Sequence, residues 1–110
     1  MKNSNTPVNV HVSPLISPRS GEAVRNQYTI EGPGYTAFQS YDSLIAVYDG
    51  DKLTLGRDWD YSVTTLKHLQ QWLRDYCYCV WRELPDGKSG ADSIRKAIDA
   101  GIINYDPDMR

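Results

Sequence analysis

The sequence predicts one α+β domain, in which an antiparallel meander of four to five short strands is followed by one long amphipathic helix and a shorter C-terminal helix. Apolar and polar side chains alternate at period two in the first half of the chain, and after Gly56 the apolar residues recur every three or four positions. A chain of 110 residues can bury one hydrophobic core but not two. We therefore expect residues 1–110 to form a single domain.

The predicted sheet occupies residues 8–56, and residues 1–7 are expected to be flexible. Valines alternate with polar residues from position 8 to position 12 and predict the first strand. The apolar run Leu-Ile-Ala-Val-Tyr at 44–48 predicts the best-buried strand, and the Asp-Gly-Asp sequence at 49–51 predicts a hairpin turn after it. The connections between successive strands are too short for helical crossovers, so the strands should be antiparallel.

A long helix is predicted over residues 60–84, because apolar residues fall on one helical stripe. Ser62 is the preferred N-cap, since its hydroxyl can accept a backbone N–H bond, and Tyr61 should pack onto Leu66 as a hydrophobic staple. The structural helix entry predicted in this way consists of Trp59, Asp60, Tyr61 and Ser62. The stripe consists of Leu66, Leu69, Leu73, Tyr76, Cys77, Val80 and Leu84.

A second helix is predicted over residues 89–100. Ser89 and Asp92 have the spacing of a capping box, and Gly101 suits the left-handed residue that ends a helix. Residues 101–110 form a tail, in which positions 102–105 are candidates for a short edge strand.

No metal or other cofactor is expected. The side chains best suited to zinc are few, and His68 and Cys77 are nine positions apart, which places them on opposite faces of one helix. Cys77 lies on the apolar stripe and should be a core residue, whereas Cys79 should be exposed. The complete set of such side chains is His11, His68, Cys77 and Cys79.

No catalytic residue is predicted, and the protein is expected not to be an enzyme. His68 and Asp75 share a helix face but lie two turns apart, about 10 Å, so the carboxylate cannot orient the imidazole. Asp58 and Asp60 are the closest pair of carboxylates, and their position before a helix favours a role at the helix entry over acid–base catalysis. The Gly-Pro-Gly sequence at 32–34 matches no phosphate-binding loop.

The charge distribution argues against general nucleic-acid binding. Residues 31–61 carry two basic residues and six acidic ones, so the middle of the chain lacks a basic stripe that could neutralise phosphates. Turns that prefer Asp account for most of these acids. No apolar run reaches the roughly 20 residues of a membrane-spanning helix and the N-terminus lacks a secretion signal, so we expect a cytoplasmic protein without membrane contact.

Aromatic residues are abundant, with eight Tyr, three Trp and one Phe. In helical projection Trp72 lies beside the main stripe, and Tyr78 and Trp81 point further round the helix. Two interpretations remain open: either another element, such as the C-terminal helix, covers this flank, or the flank is a surface for a partner. Under the second interpretation, Tyr78 and Trp81 are the candidate protein-contact residues.

Three stretches resemble a group of small uncharacterised proteins encoded by phages and mobile elements of gut bacteria. They are Ser-Pro-Arg-Ser-Gly at 17–21, Phe-Gln-Ser-Tyr at 38–41 and Trp-Asp-Tyr-Ser-Val-Thr-Thr at 59–65. This resemblance implies a setting and no mechanism, because the group has no established activity. Small acidic phage proteins often bind and block a host protein, and some imitate nucleic acid with spaced carboxylates. That analogy makes Asp42, Asp49, Asp51 and Asp58 a candidate acidic nucleic-acid-mimic surface.

Two hypotheses for function follow. The first is a non-enzymatic phage or mobile-element accessory protein that binds a host or phage protein, for example as an inhibitor of a host defence system such as a CRISPR nuclease. The alternative is a single-stranded nucleic-acid-binding accessory protein that stacks bases on Tyr28, Tyr35 and Phe38. A homodimer is compatible with either hypothesis.

Overall fold

A single mixed sheet of six strands, in the spatial order β1-β2-β3-β4-β5-β6, forms one layer of the fold. The computed structural model describes residues 9–85 and 90–109. The strands are β1 (His11–Ile16), β2 (Ala23–Gly32), β3 (Tyr35–Ser40), β4 (Ser43–Tyr48), β5 (Leu53–Gly56) and β6 (Ile103–Asp106). The helices are α1 (Val63–Tyr76), α2 (Tyr78–Trp81) and α3 (Ala91–Asp99). The predicted α+β class is confirmed, and the predicted flexible segment 1–7 lies outside the described residues.

The antiparallel meander runs from β1 to β5, and β6 then pairs with β5 in parallel. The sheet therefore has six strands, more than the four to five that were predicted. The physical reason is that the helices after β5 act as a crossover, which returns the chain beside β5 in the same direction. Leu53 and Ile103 are register partners in this parallel pair and are both buried.

The helices cover one face of the sheet, and the core lies between the two layers. Phe38 on β3 stacks on Trp72 of α1 with ring centroids 6.0 Å apart, and both rings are fully buried. Trp72 is also stacked on Tyr76, at 6.1 Å. Strand β3 thus covers the flank that carries Trp72. None of the helices in the described ranges is long and apolar enough to span a membrane.

The prediction of one long helix over 60–84 was wrong. The helix begins only at Val63, because residues 57–60 form a turn, and it is interrupted at Cys77, whose φ and ψ angles of −132° and 47° are not helical. The apolar stripe continues across this break, since Val80 and Leu84 are buried as predicted. Periodicity alone therefore could not reveal the interruption. The Tyr-Cys-Tyr-Cys sequence at 76–79 has only moderate helix propensity and offers little local resistance to it.

Helix α3 is shorter than the predicted 89–100. Its N-cap is Gly90, which makes no side-chain capping bond, and the predicted partner Ser89 lies outside the described residues. Asp92 instead forms an ion pair with Arg95 at 3.4 Å. Gly101 has a φ angle of 79° and ends the helix in the left-handed conformation, as predicted.

Candidate binding cleft at the start of α1

A cleft of about 640 Å³ lies between the β3–β4 turn and the N-terminus of α1. We call it the α1-entry cleft. Three neighbouring parts of the fold build it: the turn, the adjacent end of β4, and the chain that enters the helix. Its lining consists of Ser40, Tyr41, Asp42, Ser43, Ile45, Asp58, Tyr61, Ser62, Thr64 and Thr65.

Tyr41 forms one wall of the cleft in an uncommon backbone conformation. Its φ angle is 53°, in the left-handed region that costs a non-glycine residue roughly 1–2 kcal/mol, and its side chain is 61% exposed. The surrounding structure holds it there, because its N–H donates to the carbonyl of Asn26 at 2.7 Å and its carbonyl accepts from the Gln39 amide at 2.8 Å. Such strain concentrates at functional sites and makes Tyr41 a candidate contact residue.

Tyr61 and Ser62 form the opposite wall. Tyr61 is 80% exposed, so the expected staple onto Leu66 is absent and the phenol points to solvent. The staple fails because Tyr61 belongs to a turn, in which its N–H donates to the carbonyl of Asp58 at 3.1 Å. The predicted N-cap is confirmed, since the Ser62 hydroxyl accepts the Thr65 N–H at 3.0 Å.

Two carboxylates and several hydroxyls set the electrostatics of the cleft. The Ser43 hydroxyl donates to Asp58 at 2.8 Å and fixes that carboxylate, while Asp42 is exposed at the rim. None of the Lys and Arg residues in the described part of the chain lines the cleft. Carboxylates are favourable here because the start of α1 carries a partial positive charge. Ser40 is 4% exposed, and its hydroxyl has no hydrogen-bond partner within residues 9–85 and 90–109.

The two remaining residues of the predicted helix entry have an architectural role. Trp59 is 4% exposed, and the guanidinium of Arg95 lies over its ring at 5.5 Å from the centroid. The same guanidinium forms an ion pair with Asp60 at 2.9 Å. Because Arg95 belongs to α3, these contacts link the entry of α1 to the C-terminal helix.

The four acids of the predicted mimic surface do not form one surface. Asp42 and Asp58 meet at the α1-entry cleft, whereas Asp49 and Asp51 lie at the opposite end of β4, about 20 Å along the strand. The Asp49 carboxylate accepts the N–H groups of Lys52 at 2.7 Å and Asp51 at 2.9 Å. These backbone bonds, that of Lys52 first, lower the pKa of Asp49. Asp49 is therefore a turn-forming residue.

The predicted contact residues Tyr78 and Trp81 lie away from this cleft. Tyr78 is 59% exposed, whereas Trp81 is half-buried against the core and lines a separate groove beside Arg19 and Lys67. The two cysteines behave as predicted. Cys77 is buried, which raises the pKa of its thiol to about 12, and Cys79 is exposed.

The aromatic residues of the nucleic-acid alternative lie on different faces of the sheet. Phe38 faces the helices, while Tyr35 and Tyr28 lie on the opposite face, as strand alternation and the pairing of Tyr28 with Gln39 require. A groove of about 470 Å³ on that helix-free face is lined by no Lys or Arg of the described ranges. Only two of the three aromatics are therefore available for one ligand.

Several residues of the cleft were not predicted from the sequence, among them Ser43, which holds Asp58 in place. Tyr41 and Ser40 appeared only within the Phe-Gln-Ser-Tyr stretch, and no role followed for them. The signal that could have found Tyr41 is its place in a two-residue turn between two alternating strands, where exposure is the rule and a bulky aromatic is unusual.

The chemistry available at the cleft is hydrogen bonding and charge pairing. Neither His11 nor His68 lines it, so the hydrogen bond between Ser43 and Asp58 has no imidazole base beside it. Among residues 9–85 and 90–109, no group of three or more His, Cys, Asp or Glu side chains is placed to hold a metal ion.

A family model matches residues 10–81, which is well over half of the chain. The matched span contains the whole α1-entry cleft and ends before α3 and β6. No curated protein matches the chain, and no solved structure matches it. The chain belongs to the family described as a family of unknown function (DUF8033).

Proposed function

We propose that this protein is a non-enzymatic accessory protein that acts by binding another protein, with the α1-entry cleft as its contact site. The observation that carries the proposal is the pair of exposed phenols, Tyr41 and Tyr61, on either side of one cleft. Tyr is enriched in the energetically important parts of interfaces, because it contributes a large rigid surface together with a polar end.

The charge of the cleft favours a basic partner surface. Asp42 and Asp58 line it, no described Lys or Arg joins them in the lining, and Ser43 holds Asp58 in place. A partner's Arg or Lys could pair with these carboxylates and stack on the phenols. The same charges would repel nucleic acid.

The phage or mobile-element setting comes from the resemblance of the three sequence stretches, two of which contribute residues to the cleft. Within that setting the target class is a host-defence protein, for example a CRISPR nuclease. Nucleases that grip nucleic acid expose basic surfaces, which suits two carboxylates flanked by phenols. Any imitation of nucleic acid is limited to Asp42 and Asp58, because Asp49 and Asp51 lie at the opposite end of β4.

The experiment is quantitative capture from lysate of the natural host with tagged wild-type protein and with the double variant Tyr41→Ala/Tyr61→Ala. Circular dichroism should show both proteins folded, because both phenols are exposed. We expect saturable capture of a defined protein by the wild type and at least a tenfold loss with the double variant.

The matched control is Tyr78→Ala, which removes a phenol of similar exposure from a different surface. It should capture the partner like the wild type. Loss of capture with Tyr78→Ala and not with the double variant would move the contact to α2. Equal capture by all the variants would overturn the assignment of the cleft.

The single-stranded nucleic-acid function remains a second candidate, because Tyr28 and Tyr35 lie on the helix-free face of the sheet. It predicts binding of a labelled oligothymidylate that weakens as salt rises and that Tyr35→Ala abolishes. No binding at low salt would remove this candidate.

A further inference from the structure

A second groove of about 450 Å³ separates α1 from the β1–β2 turn, on a different side of α1 from the cleft. We call it the basic groove. Of the residues that the structure describes, three cationic side chains line it, Arg19 from the turn and Lys67 and Arg74 from α1, and no carboxylate does. This local charge is opposite to the net charge of −2 of the whole chain.

The geometry of the groove is fixed by a contact between the two elements that form it. Lys67, Gln71 and Arg74 have the i, i+4, i+7 spacing of one helical stripe, so the two cations lie about 10 Å apart along the axis. Between them, the Gln71 amide donates to the carbonyl of Ile16 at 2.6 Å and ties the stripe to the end of β1. Arg19 thus lies across the groove from a row of two cations.

The cations of the groove are available to a ligand. Among the described residues, Arg19 and Lys67 form no ion pair. Arg74 forms an ion pair with its neighbour Asp75 at 3.4 Å and with no other described residue, and both of these side chains are close to half exposed. Exposed pairs of this kind contribute little, so a second carboxylate could compete for Arg74.

Aromatic and partly buried groups complete the lining of the groove. Trp81 is half-buried there, and His68 contributes an imidazole whose Nδ1 atom is buried without a hydrogen-bond partner among the described residues. Burial, and then the charge of Lys67, lower the pKa of His68. Around neutral pH the imidazole is therefore uncharged, and a proton acquired beside a bound anion would be stabilised.

We propose that the basic groove binds a short acidic segment of a protein partner, with carboxylates paired to Arg19, Lys67 and Arg74. The size of the groove and its single indole favour this ligand over single-stranded nucleic acid. A nucleic-acid strand needs successive large aromatic platforms for its bases, and among the described lining residues Trp81 is the one Trp, Tyr or Phe. The proposal is independent of the α1-entry cleft, since the two sites share no residue.

The test is a titration of the isotope-labelled full-length protein with N-acetylated, C-amidated hexaglutamate, followed by NMR at low ionic strength. We expect amide shifts centred on residues 17–19 and 67–74. We also expect the midpoint of the His68 titration to rise by roughly half a pH unit or more, because a nearby carboxylate favours imidazolium.

Matched variants and probes make each outcome decisive. Arg19→Glu/Lys67→Glu should weaken hexaglutamate binding at least tenfold, whereas Arg25→Glu/Arg57→Glu, with the same change in net charge outside the groove, should weaken it much less. Equal weakening by both pairs, or no more effect from hexaglutamate than from hexaglutamine, would overturn the proposal. Tighter binding of a six-nucleotide oligothymidylate would overturn it in favour of nucleic acid.

Discussion

Replacement of Trp59 tests whether the entry of α1 is architectural. The indole is 96% removed from solvent, and the Arg95 guanidinium lies over its ring while pairing with Asp60. Trp59→Ala would remove this packing between the helix entry, the core and α3. We expect it to destabilise the whole domain before it affects any particular binding contact.

The magnitude follows from the area involved. A buried Trp side chain removes about 200 Å² from water, and at about 25 cal/mol per Å² this corresponds to about 5 kcal/mol as an upper estimate. Large-to-small substitutions of buried aromatics cost roughly 3–5 kcal/mol. Urea unfolding followed by far-ultraviolet circular dichroism measures the loss, which should lower the midpoint by roughly 2 M at a slope of about 2 kcal/mol per M.

The control is Arg95→Ala, which removes the cation above the ring and two exposed ion pairs but leaves the indole in place. The ion pairs are with Asp60 and with Asp92, and their loss together with the cation–π contact should cost about 1–2 kcal/mol. A Trp59→Ala protein that unfolds within about 1 kcal/mol of the wild type would refute the reasoning. If that stable variant also lost partner capture, Trp59 would belong to the binding site and not to the framework.

Three further predictions test local features of the fold. Ellman's reagent at pH 8 should react with one thiol of the folded chain, Cys79, and with two thiols after unfolding. The reason is that Cys77 is buried, which raises the pKa of its thiol to about 12. Equal reaction rates for both thiols in the folded protein would contradict the burial of Cys77. Gly56→Ala should cost about 1–3 kcal/mol in urea unfolding, because the added Cβ would lie 2.5 Å from the backbone oxygen of Met109. Gly90→Ala is the control, since no described atom lies within 4 Å of its added Cβ, and it should cost less than about 1 kcal/mol. Similar costs for the two variants would contradict this packing. Ser62→Ala should cost about 1 kcal/mol through loss of the N-cap, and an unchanged urea midpoint would show that the cap is dispensable.

The fold class and the cap were predictable because local chemistry determines them. Alternation in the strands, the turn residues and the hydroxyl of Ser62 act within a few residues of the chain. The parallel pairing of β6 was not predictable, because it depends on where the crossover places residues 103–106. The break at Cys77 was also hidden, since the apolar stripe keeps its spacing through it.

The candidate site was only partly predictable. The sequence predicts Tyr61 and Ser62 as parts of a helix entry and Asp58 as part of an acidic surface. It does not predict that the three residues line one cleft. The cleft exists because the β3–β4 turn lies beside the start of α1. Tyr41 and Tyr61 are far apart in the sequence, so their proximity could not be predicted from it. For Asp49 the sequence suggested a contact role that the structure does not support. Its carboxylate accepts backbone N–H groups within its own turn, and the sequence does not distinguish such an aspartate from one that is free to bind a partner.

The most direct test of the account is site-specific photo-crosslinking in the natural host, with p-benzoylphenylalanine in place of Tyr61 in one variant and of Tyr78 in another. Both positions are exposed, so both variants should fold. We predict one predominant protein adduct from position 61. This adduct should be lost when Tyr41→Ala and Asp58→Asn are added, and position 78 should give no comparable adduct. An adduct from position 78 alone, or adducts only to nucleic acid, would contradict the assignment of protein binding to the α1-entry cleft.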